Sequence, residues 1–219
     1  MTAIGITGPT GAGKTTALEV LGQMGFSIVD CDALYYRLLG TDAGLRGALE
    51  EAFGPVFLPD GNLDRRALAA RVFGDGAELA RLNAIVYPAV YAAVEQKIRD
   101  CSQKRLAIDA VNLVESGIGA LCCVTVAVTA PQAVRLERIM ARDGLSEAQA
   151  RARIAAQKPD SWYEKRCAFL LENRAESRER FAQLAREFFQ ALLGLLNGGE
   201  DNGREGMERE GTDGSEKRL

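Results

Sequence analysis

The sequence predicts an α/β fold, a parallel sheet flanked by helices. Two observations carry this. Short apolar, β-branched runs alternate along the chain with longer stretches of helical periodicity, as a parallel sheet with crossover helices requires. The first run leads directly into a glycine-rich turn, Gly8-Pro9-Thr10-Gly11-Ala12-Gly13-Lys14-Thr15, which opens a helical pattern. That is the layout of a P-loop nucleotide-binding core.

Residues 3–7 read as the first strand, followed by the glycine turn and a helix from about Lys14 to Met24. Residues 26–29 read as a second strand ending at Asp30-Cys31-Asp32, and residues 106–108 as a third ending at Asp109. Cys122 to Val128 is the clearest strand, and residues 169–171 form a short fifth. The stretch between the second and third strands far exceeds one crossover helix. It carries helical patterns near 42–53, 64–73, 76–84 and 88–101, punctuated by Gly54-Pro55 and Pro59-Asp60-Gly61-Asn62. A helical subdomain covering one side of a substrate cleft is expected there. Pro131 is suited to the first position of a further helix, and Ser146 with Gln149 is a capping-box pattern opening another. A last helix carries Phe181, Leu184, Ala185, Phe188, Leu192, Leu195 and Leu196 at helical spacing.

The expected organisation is therefore one P-loop kinase domain over 1–196, with its core in 1–40, 104–145 and 168–196. The helical substrate-binding insertion occupies 41–103 and a helical lid 146–167. Residues 197–219, rich in Gly and Glu without apolar anchors, are expected to be a disordered tail.

Composition narrows the chemistry. The chain has 219 residues, 47% hydrophobic and 26% charged, enough for a sizeable core without disulfides. A net charge of -3 gives no sign of a nucleic-acid or membrane surface, so an anionic substrate must be held by local Lys and Arg. No signal-peptide pattern opens the sequence and no membrane-length apolar run occurs, which points to the cytoplasm. The five cysteines show no Cys-x-x-Cys spacing, and Cys122 and Cys123 read as buried small hydrophobes. Histidine is absent altogether. That excludes Ser-His-Asp and Cys-His mechanisms and His-ligated zinc, and leaves carboxylates, Lys, Arg, backbone dipoles and a bound metal. Phosphoryl transfer needs only those parts.

In the glycine turn, Gly8, Gly11, Ala12 and Gly13 let backbone N–H groups approach phosphate oxygens, and Thr16 continues the helix N-terminus that adds its dipole. Lys14 reaches the terminal phosphates and the Thr15 hydroxyl can bind Mg²⁺, so ATP and Mg²⁺ are the expected cofactors. Asp30, Asp32 and Asp109 end strands on the side where parallel sheets bind ligands. Asp30 is read as a helix cap, Asp32 as the base near the attacking hydroxyl, and Asp109 as support for the metal. Arg135, Arg138 and Arg142 share one helix face. Arg138 and Arg142 are the candidates to meet the transferring phosphate when a lid bearing Arg151, Arg153 and Lys158 closes; Arg135 is the weaker one.

Together these segments resemble dephospho-CoA kinases from Ile4 to about Asn173. The resemblance is carried by the P-loop opening, by Val29-Asp30-Cys31-Asp32, and by Asp60-Gly61-Asn62-Leu63-Asp64-Arg65-Arg66-Ala67-Leu68 with Val72-Phe73. It continues in Leu82-Asn83-Ala84 with Pro88, Leu113-Val114-Glu115, Arg138 through Arg142-Asp143, and Ile154-Ala155-Ala156-Gln157. It implies transfer of the ATP γ-phosphate to the ribose 3′-hydroxyl of dephospho-CoA by a five-stranded kinase core with a helical insertion and a lid. It further implies that Asp32 holds the attacking hydroxyl, that Arg142 clamps phosphate, and that Arg66, Asn83, Tyr87 and Glu115 shape the acceptor side. The small-molecule acceptor is then the expected partner, and the chain a monomer or weak homo-oligomer. Tyr87-Pro88 stands where the family has His-Pro, and Cys167-Ala168 where it has Ala-Asp. The competing readings are another small-molecule or nucleotide kinase on the same core, and a nucleotide-binding module without catalysis.

Overall fold

The computed structural model describes residues 1–72 and 74–208. The apolar runs form five strands: β1 (Thr2–Thr7), β2 (Ser27–Asp30), β3 (Arg105–Asp109), β4 (Val124–Thr129) and β5 (Phe169–Glu172). They make one sheet in the order β2-β3-β1-β4-β5, every pair parallel. Both faces are covered, which is why these strands read as nearly unbroken apolar runs: Ile4, Ile6, Ala107, Ile108, Val126 and Val128 are fully buried. The neighbours of β1 are reached by crossovers in opposite directions, so the crevice at its carboxyl end is where such a sheet takes ligands.

The helices of the first compact unit, Met1–Arg174, are α1 (Lys14–Gln23), α2 (Cys31–Thr41), α3 (Ala43–Phe53), α4 (Arg65–Val72), α5 (Gly76–Asp100), α6 (Gln132–Asp143), α7 (Glu147–Ala155) and α8 (Asp160–Glu164). Side-chain caps set several starts: Asp30 accepts from the Ala33 N–H, Asp42 from Leu45 and Asp75 from Ala77 and Glu78. The capping box of Ser146 and Gln149 is formed at α7.

Four details differ from the sequence reading. The patterns at 76–84 and 88–101 are one helix, α5, with Pro88 inside it. Proline there costs about 3 kcal/mol. The helix persists because its two halves serve different cores. Leu82, Ile85 and Val86 pack on the insertion cluster of Leu45, Leu49, Phe53 and Leu68, while Val90 and Val94 belong to the cluster against the sheet with Leu106 and Ile108. Next, β4 starts at Val124, since Cys122 caps a 3₁₀ turn (Ile118–Leu121); Cys122 is half-buried and Cys123 exposed rather than buried. Pro131 is the cap of α6, one residue before the expected position. The fourth concerns the second unit, which begins at Ala175 and contains α9 (Arg178–Glu208). Its helical backbone runs past Leu196, because helical hydrogen bonds are local and need no apolar anchor at each turn. Within α9 the buried stripe passes through Phe189 where the sequence reading has Phe188, and Leu195 is exposed. The rest of the expected tail, 209–219, lies outside the described residues, as does residue 73 at the end of the expected 64–73 helix. Among the described residues no helix is long and apolar enough to cross a membrane.

Two glycines make a testable contrast. Gly8 has φ 133° and a Cβ there would lie 2.1 Å from the Val128 carbonyl oxygen, whereas Gly22, exposed in α1, has nothing within 4 Å. Gly8→Ala is expected to destabilise by about 3 kcal/mol or more, and Gly22→Ala to stabilise by about 0.5–1 kcal/mol. Urea unfolding of both variants measures this; a mild Gly8→Ala would mean that the loop can leave β4.

Candidate active site

The glycine turn sits at the carboxyl end of β1 and its shape is held from several sides. Gly8, Gly11 and Gly13 take φ values of 133°, 78° and 109°, a region costly for side-chain-bearing residues. Lys14 Nζ donates to the Gly8 carbonyl at 2.9 Å. On the outer side α6 supplies cations to the loop carbonyls. Arg135 Nε donates to Thr10 O at 3.0 Å, and Arg138 Nη1 to Gly11 O at 3.3 Å and Ala12 O at 3.5 Å. Asn173, buried just after β5, donates to Ala12 O at 2.9 Å and accepts from Arg138 at 3.3 Å. A trans peptide points its N–H opposite its C=O. Anchoring Thr10 O and Ala12 O outside therefore turns the N–H groups of Gly11 and Gly13 toward the cavity that both glycines line.

That cavity, about 620 Å³, is lined also by Lys14, Thr15, Asp32, Asp109, Arg138 and Arg142. It meets a second cavity of about 200 Å³ formed by α2, α5 and the segment after β3. Asp32 and Val111 line both. Asn83 and Tyr87, one turn apart on α5, line the second, with Tyr35, Asn112 and Ser116. One cavity is ringed by cations and backbone dipoles, the other is mostly apolar with a few polar groups, and a carboxylate stands between them.

Burial sets the electrostatics. It lowers the pKa of Lys14, against the opposing pull of Asp109 and Asp32. It raises Asp109 to about 6 from 3.8 despite Lys14, and it raises Asp32, helped by the charge of Asp30. The Tyr87 hydroxyl is pushed up by burial and by Glu115. Arg142 is exposed and held by Asp143 at 2.7 Å, and it also donates to Thr10 Oγ1 at 3.3 Å. Arg153 shares Asp143 at 2.6 Å, while Arg151 pairs with Glu147 and Lys158 lies over Trp162.

The structure thus brings together Gly11, Gly13, Lys14, Thr15, Asp32, Asp109, Arg138 and Arg142, and joins Asn83 and Tyr87 to them through Asp32. Gly8, Ala12 and Thr16 line neither cavity; Gly8 and Ala12 shape the loop through their carbonyls. Glu115 acts on Tyr87 only through its charge. Arg66 lines neither cavity and is exposed on the first turn of α4, whose start Asp64 caps. Sequence reasoning undervalued Arg135, which is only 4% exposed, and missed Asn173. A signal existed for Asn173: a polar residue directly after an apolar strand, at the ligand-binding end of the sheet.

The model of the dephospho-CoA kinase family matches residues 2–179. A dephospho-CoA kinase of Anaeromyxobacter dehalogenans is 41% identical over 203 residues, 91% of this chain and 94% of that one. A crystal structure from Thermus thermophilus superimposes with a TM-score of 0.72 at 33% identity, covering 89% of this chain and 97% of its own. Dephospho-CoA kinase from Campylobacter jejuni shares the fold at TM-score 0.56 and 23% identity, over 87% and 96% of the two chains.

Asp109 gives a signed pH prediction. Its folded pKa is raised, so its contribution to stability is full below the unfolded value of 3.8 and is lost as pH rises through about 6. Asp109→Asn should therefore gain stability relative to the unsubstituted chain between pH 4 and pH 7, by about 3 kcal/mol at most. Urea unfolding of the nucleotide-free protein at both pH values measures the difference, and a pH-independent difference contradicts it.

Proposed function

The chain belongs to the dephospho-CoA kinase family, and we propose how its residues divide the transfer of the ATP γ-phosphate to the ribose 3′-hydroxyl of dephospho-CoA, the last step of coenzyme A synthesis. The observation that carries the assignment is the position of Asp32, among the described residues the one carboxylate lining both the cation-ringed cavity and the mostly apolar recess beside it. ATP phosphates occupy the first, held by the Gly11 and Gly13 N–H groups, Lys14 and the N-terminus of α1. The ribose hydroxyl enters from the second. Asp32 accepts its proton as the oxygen bonds to the γ-phosphorus; the bond from that phosphorus to the β,γ-bridging oxygen breaks, and ADP leaves with the electron pair. Lys14 and Arg142 offset the charge on the transferring group, and Arg138 braces the loop.

Mg²⁺ fits the donor set. Thr15 and Asp109 offer one hydroxyl and one carboxylate in the cavity, and no cluster of three or more Asp, Glu, Cys or His able to hold a metal occurs among the described residues. That suits an ion held largely by substrate phosphates and water. When bound, it neutralises phosphate charge.

On the acceptor side, Asn83 and Tyr87 contact the ribose and its neighbours, with Glu115 tuning the Tyr87 hydroxyl. Dephospho-CoA is larger than the recess, which leaves Arg66 for the part that extends over α4. The division into core, acceptor insertion (41–103) and lid (146–167) follows the same logic. The described cysteines are free thiols, which supports work in a reducing compartment such as the cytoplasm. Both cavities are lined within one chain, so a monomer suffices.

Asp32→Asn is expected to lower kcat about 100-fold or more while leaving the Kd for ATP within about threefold. The activity of the unsubstituted chain should rise with pH through a pKa above the ordinary carboxylate value, because burial raises Asp32, and this limb should vanish in Asp32→Asn. ADP release measured with dephospho-CoA beside nucleoside monophosphates and shikimate tests the acceptor. Turnover on one of the latter alone would refute the acceptor, and full activity in Asp32→Asn would refute the base.

A further inference from the structure

Thr10 is held on its N–H, its C=O and its hydroxyl by three different side chains. Its N–H donates to Gln157 Oε1 at 3.1 Å, its carbonyl accepts from Arg135 Nε at 3.0 Å, and Arg135 Nη2 donates to the same Gln157 oxygen at 2.7 Å. These three bonds close a ring through a buried guanidinium, and Arg142 reaches the Thr10 hydroxyl at 3.3 Å. Gln157 is two residues beyond the end of α7, in the link to α8, where Arg135 also faces Asp160 at 3.7 Å. Asp160 Oδ1 is buried with no hydrogen-bond partner, so the charge of Arg135 is its compensation.

The ring has a directional consequence. The Thr10–Gly11 peptide has its carbonyl fixed by Arg135, so its N–H, that of Gly11, points the opposite way, toward the phosphate cavity. The preceding peptide is fixed by Gln157 through the Thr10 N–H, which removes the rotation by which the pair could turn over. Gly11 has no side chain to resist such a flip, and its φ of 78° is one that the chain must hold from outside. A Cβ at Gly11 would come within 3.0 Å of the Arg135 carbonyl oxygen, so loop and α6 are already in close backbone contact.

We propose that Gln157 is a positioning residue for ATP: with Arg135 it clasps both peptides of Thr10, aims the Gly11 N–H at the nucleotide phosphates, and makes ATP binding depend on the α7–α8 link. This rests on ATP use at the glycine loop and adds to it a residue outside the loop, with no contact to the phosphates of its own. Gln157 is half-buried and outside the apolar core, so its substitution leaves the sheet in place.

The test is steady-state kinetics of Gln157→Met, which keeps the side-chain length and loses the acceptor oxygen. The KM for ATP is expected to rise about tenfold, the cost of one such hydrogen bond, with the KM for the acceptor nearly unchanged and a lowered urea midpoint of the free protein, because Arg135 Nη2 loses its acceptor. Arg135→Gln should raise the ATP KM as well, and the double variant should show less than the product of the two effects, because one ring is broken either way. An unchanged or lower KM for ATP in Gln157→Met overturns the proposal, as does an equal rise in both KM values. Failure of the unsubstituted chain to bind ATP would remove the ATP reading itself, and the proposal with it.

Discussion

The structure depends on holding a short glycine loop in a conformation that most residues resist, so that backbone N–H groups converge where a polyanion will sit. Converging donors repel one another, and within the loop only the Lys14 side chain is seen to bind a loop carbonyl, that of Gly8. The solution here is external. Arg135 and Arg138 of α6, with Asn173 after β5, bind the loop carbonyls from behind. The loop seats directly on β4, where Gly8 leaves no room for a Cβ beside Val128. The order of the sheet serves this arrangement, because β4 must lie next to β1 for α6 to reach the loop.

A second constraint follows from chemistry without histidine. With no histidine in the chain, the cavity's acidic groups able to accept a proton are the carboxylates of Asp32 and Asp109, and a carboxylate in water is a weak base. Burial beside Asp30 raises the pKa of Asp32, while Lys14 pulls the other way. Asp109, deeper in the same cavity, is raised to about 6 by the same desolvation. Lys14 and the two acids thus moderate one another, and the cavity combines strong cationic character with basic oxygen atoms.

The insertion and the α7–α8 hairpin attach to this centre by different physics. The insertion is tied by apolar packing, since α5 carries one cluster at each end and crosses Pro88 without breaking. The hairpin is tied to the loop by hydrogen bonds and charge, through Gln157, Asp160 and the sharing of Asp143 by Arg142 and Arg153. Apolar packing is non-directional and resists deformation as a body, whereas hydrogen bonds and ion pairs can be exchanged for phosphate contacts.

Much of this was legible in the residues. Periodicity alone placed the five strands to within about two residues and most of the helices, but not α8. Glycine spacing fixed the phosphate loop, and the position of Asp30 at a helix start identified it as a cap. These features are local, determined by side chains within a turn or two along the chain. What the sequence could not show was everything carried by contacts across the fold. Arg135 sits on the same helix face as Arg138 and Arg142, yet it is buried and braces the loop, while Arg142 is exposed and paired with Asp143. Asn173 and Gln157 reach residues 161 and 147 positions away. Arg66 belongs to a well-defined motif and still lies outside both cavities. Only the tertiary structure decides which of several equivalent cations is desolvated, because burial is a property of the neighbours that packing brings together and not of the residue itself.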